Sequence, residues 1–305
     1  MGLFTIKKIL VPVDFSATGQ KVLDQVATMA KKNGAEVILF VSLETPMGKS
    51  SPDYFGVAIN NPKMFEELLL EWAEKNMEKL QENLKKMGVS KVSYKIGEGT
   101  AYKMIVKAAK DTKADLIVMG THGVSGFREF SVGSNTARVV SEAACPVLSI
   151  QKSSKKSGFN TILVPFRDRP HSRESVDYAI DLAKSYGATI QVLGISTDPA
   201  DSAKRKLQLE ADQIKKIAEK RGVKATTDVV KNKFVAKNIL TYAEKKKADL
   251  IVLMADLDKS GISEYLIGPV IQQVVNHSPI PILSIHPVIN PNLLVSGNES
   301  WSFLG

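Results

Sequence analysis

The sequence predicts an α/β protein built as two tandem doubly wound domains, each a five-stranded, mostly parallel sheet flanked by helices. Three observations predict it. The chain has 305 residues, and a single core rarely grows beyond about 250–300 residues. It is also written twice. ILVPVD (9–14) returns as ILVPFR (162–167), ADLIVMG (114–120) as ADLIVLM (248–254), and ACPVLSI (144–150) as PIPILSI (279–285). Finally, short apolar runs alternate with helical patterns in each copy. That grammar implies right-handed crossovers and a parallel sheet covered on both faces.

In the first copy KKILVPV is a β-branched run suited to a strand. Residues 17–32 then carry Val22, Val26 and Met29 at helical spacing, with Ser16 placed to cap them. AEVILFVSL is the second strand, and residues 44–62 read as a long loop. Residues 63–88 read as an amphipathic helix with Phe65, Leu68, Leu69, Trp72, Met77 and Leu80 toward one side. VSKVSYKI is a third strand and Ala101–Lys110 a third helix. ADLIVMG is a fully apolar strand, SNTARVVSEA a helix, and PVLSI a fifth strand whose Pro146 suits a strand start or a sheet edge. The second copy repeats the order. A polar stretch, QKSSKKSGFN (151–160), marks the boundary. The expected domains are 1–152 and 153–287, followed by a tail at 288–305. Leu293, Leu294, Trp301 and Phe303 in that tail suit packing back on a domain or docking to a partner, and a frayed tail is the alternative.

Composition narrows the function. Apolar content of 44% and charged content of 24% suit packed cores. The single Cys145 excludes an intramolecular disulfide and a cysteine-cluster zinc site, and reads as a buried structural thiol. His122, His171, His277 and His286 are too scattered for a metal cluster. The net charge of +9 is shared between the copies and sits largely on helical patterns such as EKNMEKLQENLKK. It reads as solvated helix faces rather than a nucleic-acid stripe. No apolar run approaches the ~20 residues that span a bilayer. MGLFTI matches a myristoylation start only loosely, because Ile6 stands where Ser or Thr is wanted. A cytoplasmic protein is expected.

Chemistry is expected beyond the carboxyl ends of the strands, where strand order reverses. ADLIVMG runs there into GTHGVSGFREFSVGSNTARVV. Glycines at 120 and 123 leave room for a ligand against the backbone. Gly133, Ser134 and Asn135 put free N–H groups at a helix start, which favours an anion. The hydroxyls of Ser134 and Thr136 can add hydrogen bonds, and His122 and Arg128 can meet charge. The same glycines also suit a plain strand end and helix start, with Ser134 only a cap. Asp14, after the first strand, can accept from an adenine amino group or a ribose hydroxyl, with a helix cap as the alternative.

Gly120, Gly123, Gly133 and Ser134 follow a spacing of glycine, two residues, glycine, nine residues, glycine, then Ser or Thr. With the opening strand before Asp14 and the closing CPVLSI, this arrangement resembles the universal stress protein family of the adenine nucleotide alpha-hydrolase-like superfamily. The resemblance covers residues 5–151 and 160–287. It implies that Asp14 contacts adenine and that Val41 touches it through its backbone. Met119 and Gly120 would line the ribose and base side. Gly123, Gly133, Ser134 and Asn135 would hold the phosphates, with Mg²⁺ or Mn²⁺ shared between them. The implied ligand is ATP, or else ADP or AMP. The implied role is a sensor or partner-binding module with slow or absent turnover. The family also commonly pairs fifth strands, so PVLSI and PILSI are expected to pair within the chain as a pseudo-dimer, leaving a further homodimer open.

The second copy departs from the motif. Arg167 stands for Asp14, Met254 for Gly120, Leu257 for Gly123 and Pro269 for Ser134, while Gly268 survives. Pro269 lacks an N–H and a hydroxyl, and Met254 fills space a nucleotide needs. One site per chain is therefore expected, in the first domain. A different anion site at Arg167, Asp168 and Arg169 is the alternative to an empty second domain. No GxxxxGK[ST] loop, SGGxDS-like loop, or HIGH and KMSKS signature is present. Three functions stay open: a nucleotide-binding stress regulator, a slow ATPase or autophosphorylating protein using Ser134, and a nucleotide-free scaffold.

Overall fold

The computed structural model describes residues 4–15, 19–44, 62–121, 134–151, 158–168, 175–255 and 269–286. The first copy forms β1 (Lys8–Pro12), α1 (Gly19–Asn33), β2 (Glu36–Leu43), α2 (Pro62–Lys86), β3 (Val92–Glu98), α3 (Ala101–Thr112), β4 (Leu116–Gly120), α4 (Ser134–Glu142) and β5 (Val147–Ile150). The second forms β6 (Thr161–Phe166), α5 (Ser175–Tyr186), β7 (Thr189–Ser196), α6 (Asp201–Lys220), β8 (Ala225–Lys231), α7 (Val235–Lys245), β9 (Leu250–Met254), α8 (Pro269–His277) and β10 (Ile282–Ile285). The central strands are continuous apolar runs because both of their faces are covered. Ile9, Leu10 and Val11 of β1, and Leu116, Ile117 and Val118 of β4, are fully buried. Successive side chains alternate between two layers. Ile9, Val11, Leu116 and Val118 pack with α1 and α2, whereas Leu10, Ile117 and Met119 pack with α3 and α4.

All ten strands join one sheet in the order β3-β2-β1-β4-β5-β10-β9-β6-β7-β8. Pairing is parallel within each copy and antiparallel between β5 and β10. Leu148 lies opposite Leu283 at the middle of that central ladder, so the expected intrachain pairing of fifth strands is present. Both core layers run through the junction and contain residues of both copies. Further ties cross it. The Phe4 N–H donates to Asp181 Oδ2 at 2.7 Å, the Phe4 ring packs on Tyr178 at 4.9 Å, and Lys32 Nζ sits 5.1 Å over the Tyr186 ring.

Helix α2 corrects one expectation. Its buried stripe is Ala73, Met77 and Leu84, whereas Met64, Leu68 and Trp72 are exposed, Leu68 at 54% and Trp72 at 50%. At 3.6 residues per turn these two sets lie on roughly opposite flanks. Only the first stripe faces β2 and β3. The exposed Trp72 instead takes the edge of Phe15, ring centres 4.8 Å apart.

The junction also buries a histidine. His286 follows β10, and its Nε2 is buried with no hydrogen-bond partner among the described residues. Burial lowers its pKa below the ordinary 6.5. The unfolded chain takes up this proton near 6.5, while the folded chain resists it. The contribution is thus full above that pH and is lost as pH falls toward the folded group's lower value. Urea midpoints measured from pH 7.5 down to 5 should fall, and His286→Gln should flatten the part of the decline due to this group.

Candidate functional site

The edge where strand order reverses lies at the carboxyl ends of β1 and β4, which are neighbours. From β1 the chain crosses through α1 on one face, and from β4 through α4 on the other. Helices leaving on opposite faces open a crevice between the two strand ends. Asp14 lies two residues beyond β1 at that edge and is exposed. The segment leading to it is pinned by the Val13 N–H, which donates to Phe40 O at 2.8 Å. Phe15 then turns with φ 57°, a left-handed conformation unusual for an aromatic residue, which redirects the chain after Asp14.

Gly120 closes β4 and is partly exposed. It carries no side chain to cover this edge of β4. Met119 just before it is buried in the layer under α3 and α4, while Val41 of β2 is buried in the layer under α1 and α2. A ligand lying across the strand ends would therefore meet their backbones rather than their side chains. Ser134 is the first residue of α4 and Asn135 is exposed beside it. Gly123 and Gly133 lie outside the described residues, as do His122 and Arg128. The structure thus brings Asp14, Gly120, Ser134 and Asn135 to one edge, and sets Val41 and Met119 beneath it.

Thr136 has a different role from the one its sequence position suggests. Its side chain is buried and its hydroxyl donates to Gly120 O at 2.9 Å. It fastens the first turn of α4 to the end of β4, with its proton committed to the protein. Thr136, Val139 and Val140 share one buried side of α4, and that spacing was the available signal. Sequence reasoning gave Thr121 no role and read Gln151 only as the start of the polar boundary stretch. The Thr121 hydroxyl donates to Gln151 Oε1 at 2.7 Å, and Gln151 Nε2 donates to Val275 O at 2.7 Å in the other copy. Isolated polar residues at strand ends carry no periodic signature.

In the second copy a side chain stands at the place of Gly120. Met254, at the place of Gly120, ends β9 buried in the core layer with Val164 and Val252. Asp168 forms an exposed ion pair with Lys206 at 2.8 Å. Pro269 opens α8. Leu257, Gly268 and Arg169 lie outside the described residues.

A separate cleft of about 350 Å³ opens at the amino-terminal edge, lined by Phe4, Asp115, Cys145, Asp177, Tyr178 and Asp181. Its acids are engaged by the protein. Asp115 Oδ2 accepts the Lys7 and Lys8 N–H groups at 2.8 Å, and Asp177 and Asp181 hold Arg221. Burial pushes the Cys145 thiol up to about 11. At pH 8 roughly one thiol in a thousand would be ionised, and the thiolate is the reactive form. Iodoacetamide should therefore leave Cys145 largely unlabelled in the folded chain and label it fully in urea. Rapid labelling of the native protein, read by mass spectrometry, would contradict this.

Among the described residues no group of three or more His, Cys, Asp and Glu side chains could hold a metal, and no helix is long and apolar enough to cross a membrane. Comparison with known proteins matches the model of the universal stress protein family twice, over residues 5–151 and 158–286. Universal stress protein MJ0531 of Methanocaldococcus jannaschii is 33% identical over 150 residues, spanning 49% of this chain and 85% of that protein. Universal stress protein MJ0577 of the same organism is 34% identical over 157 residues, spanning 48% of this chain and 96% of that protein. A universal stress protein from Archaeoglobus fulgidus superposes over 93% of this chain and 97% of its own, with a TM-score of 0.74 at 19% identity, a likeness of fold.

Proposed function

Because the chain belongs to the universal stress protein family and carries two such domains, we propose that it binds one adenine nucleotide, at the β1–β4 edge of its first domain, and acts as a regulatory module in the cytoplasm. One observation carries this reading: β4 ends in Gly120, which has no side chain, where β9 ends in the buried side chain of Met254. ATP is the favoured ligand, with ADP or AMP as its shorter forms. Asp14 accepts from adenine or ribose, and the backbones of Val41, Met119 and Gly120 line the base and sugar. Gly123, Gly133, Ser134 and Asn135 cradle the phosphates at the start of α4, where free N–H groups and the helix dipole favour negative charge. A hard ion such as Mg²⁺ or Mn²⁺, which prefers oxygen ligands, would arrive with the phosphates and share their oxygens.

Isothermal calorimetry with ATP and Mg²⁺ tests the proposal. One ATP per chain is expected. Two would mean that the second domain binds as well, and none at millimolar ATP would end the nucleotide reading in favour of a scaffold. A single-turnover assay with γ-labelled ATP on the same preparation should leave both ATP and Ser134 unchanged. Label on Ser134 would establish the phosphotransfer alternative.

A further inference from the structure

Among the described residues, one chain of buried hydrogen bonds leads from the candidate site into the second domain. Thr136 Oγ1 donates to Gly120 O at 2.9 Å, joining α4 to the end of β4. The next residue, Thr121, donates its N–H to Ile150 O at 3.0 Å and its hydroxyl to Gln151 Oε1 at 2.7 Å. Gln151 Nε2 then crosses the junction to Val275 O at 2.7 Å. Thr121 is 1% exposed and Gln151 5%, so water does not compete for these bonds.

The carbonyl of Val275 gives the chain its consequence. It lies in the last turn of α8, where carbonyls lack intrahelical donors. The residue four positions on is Pro279, which has no N–H to offer. The Gln151 amide supplies a donor in its place. The end of α8 is thus capped by a side chain of the first domain, and that side chain is oriented by the residue following Gly120.

At the other end of the junction the backbone bond is kept, the Ala255 N–H donating to Ile285 O at 2.6 Å, but the side-chain tie is missing among the described residues. The repeat places Ala255 where Thr121 stands and His286 where Gln151 stands. Ala255 has no hydroxyl, and His286 Nε2 has no hydrogen-bond partner among the described residues. The tie therefore exists on the side of the open edge and is absent on the side of the filled one.

We propose that the Thr121–Gln151–Val275 hydrogen-bond chain couples nucleotide occupancy at the Gly120 edge to the stability of α8 in the second domain. The proposal rests on the nucleotide reading given above. A ligand that orders Gly120 and Thr121 also holds the Gln151 amide in place, and so keeps the end of α8 closed. The second domain, without a site of its own, then reports the state of the first through α8.

Hydrogen exchange of the full chain, with and without ATP and Mg²⁺, tests it. ATP should slow exchange in α8 at least about fivefold, the lower end of ordinary coupling between sites. In Gln151→Met, which keeps the length but loses both polar atoms, ATP should still protect β1, β4 and α4 and no longer protect α8. Thr121→Val is the second variant, removing only the hydroxyl link, and should also lose the α8 response. Protection confined to the first domain of the wild-type chain would overturn the coupling while leaving nucleotide binding intact. An α8 response that survives in both variants would overturn the route. Absence of protection anywhere would overturn the nucleotide reading itself, and this inference with it. Adjacent bonds are not in themselves coupling, and the α8 exchange rate measures it directly.

Discussion

Gly120→Met is expected to weaken ATP binding at least about 100-fold, a loss of ~2.7 kcal/mol, while the chain stays folded. The second domain has already made this substitution. Met254 ends β9 as Gly120 ends β4, and it is buried with Val164 and Val252 in a well-formed layer. By the alternation of strand side chains, a Met at 120 would enter the layer of Val11 and Val118. It would then cover the strand edge against which the proposed ligand's base and sugar would lie. The Gly120 carbonyl that accepts from Thr136 belongs to the backbone and is not removed. Calorimetry would read the affinity, and a urea melt the fold. Unchanged affinity in a folded variant would refute the placement of the ligand at this edge. Gly133→Val should also abolish binding by blocking approach to the start of α4, whereas Gly268→Val should leave it unchanged. Equal losses in those two would contradict a single site.

Leu148→Ala should cost about 2–5 kcal/mol of stability, the ordinary range for emptying a buried leucine position. Leu148 is 1% exposed and faces Leu283, itself 2% exposed, across the antiparallel ladder that joins the domains. The pair lies in a layer with Met29, Leu116, Leu182 and Leu250, so both domains lose packing at once. Leu283→Ala should cost a similar amount. The double variant should cost less than the sum, because neighbours that share one void are not independent. Urea midpoints and slopes would measure all three. A Leu148→Ala midpoint within error of wild type would show that the β5–β10 ladder does not form in solution.

Much of this architecture was legible in the residues. Apolar runs such as ILVPV and ADLIVMG can be buried on both faces only in a covered parallel sheet, and they return in order in the second copy. The contrast between Gly120 and Met254 at the two strand ends was legible too, because a missing side chain is visible at the level of residue type. The long helix was less so. Phe65, Leu68, Leu69, Trp72, Met77 and Leu80 look like one apolar side, yet only the Ala73, Met77 and Leu84 stripe is buried. Over 25 residues a helix carries more than one apolar flank, and the sheet it meets chooses between them. Thr136 was misjudged for a similar reason: a hydroxyl near a glycine loop suits a ligand and a strand end equally well.

The sequence by itself determined what is local and periodic: the strands and helices, the duplication, and the presence of the glycine spacing in one copy only. These follow from backbone sterics and from the burial period of each element, which neighbouring residues set. Only the tertiary structure decided what depends on meetings across the chain. It put Leu148 opposite Leu283 in one ten-stranded sheet, turned the Thr136 proton inward, and brought the Gln151 amide to a carbonyl that Pro279 cannot serve. A hydrogen bond requires two groups within about 3 Å, and when 124 positions separate Gln151 from Val275 no local pattern specifies that distance.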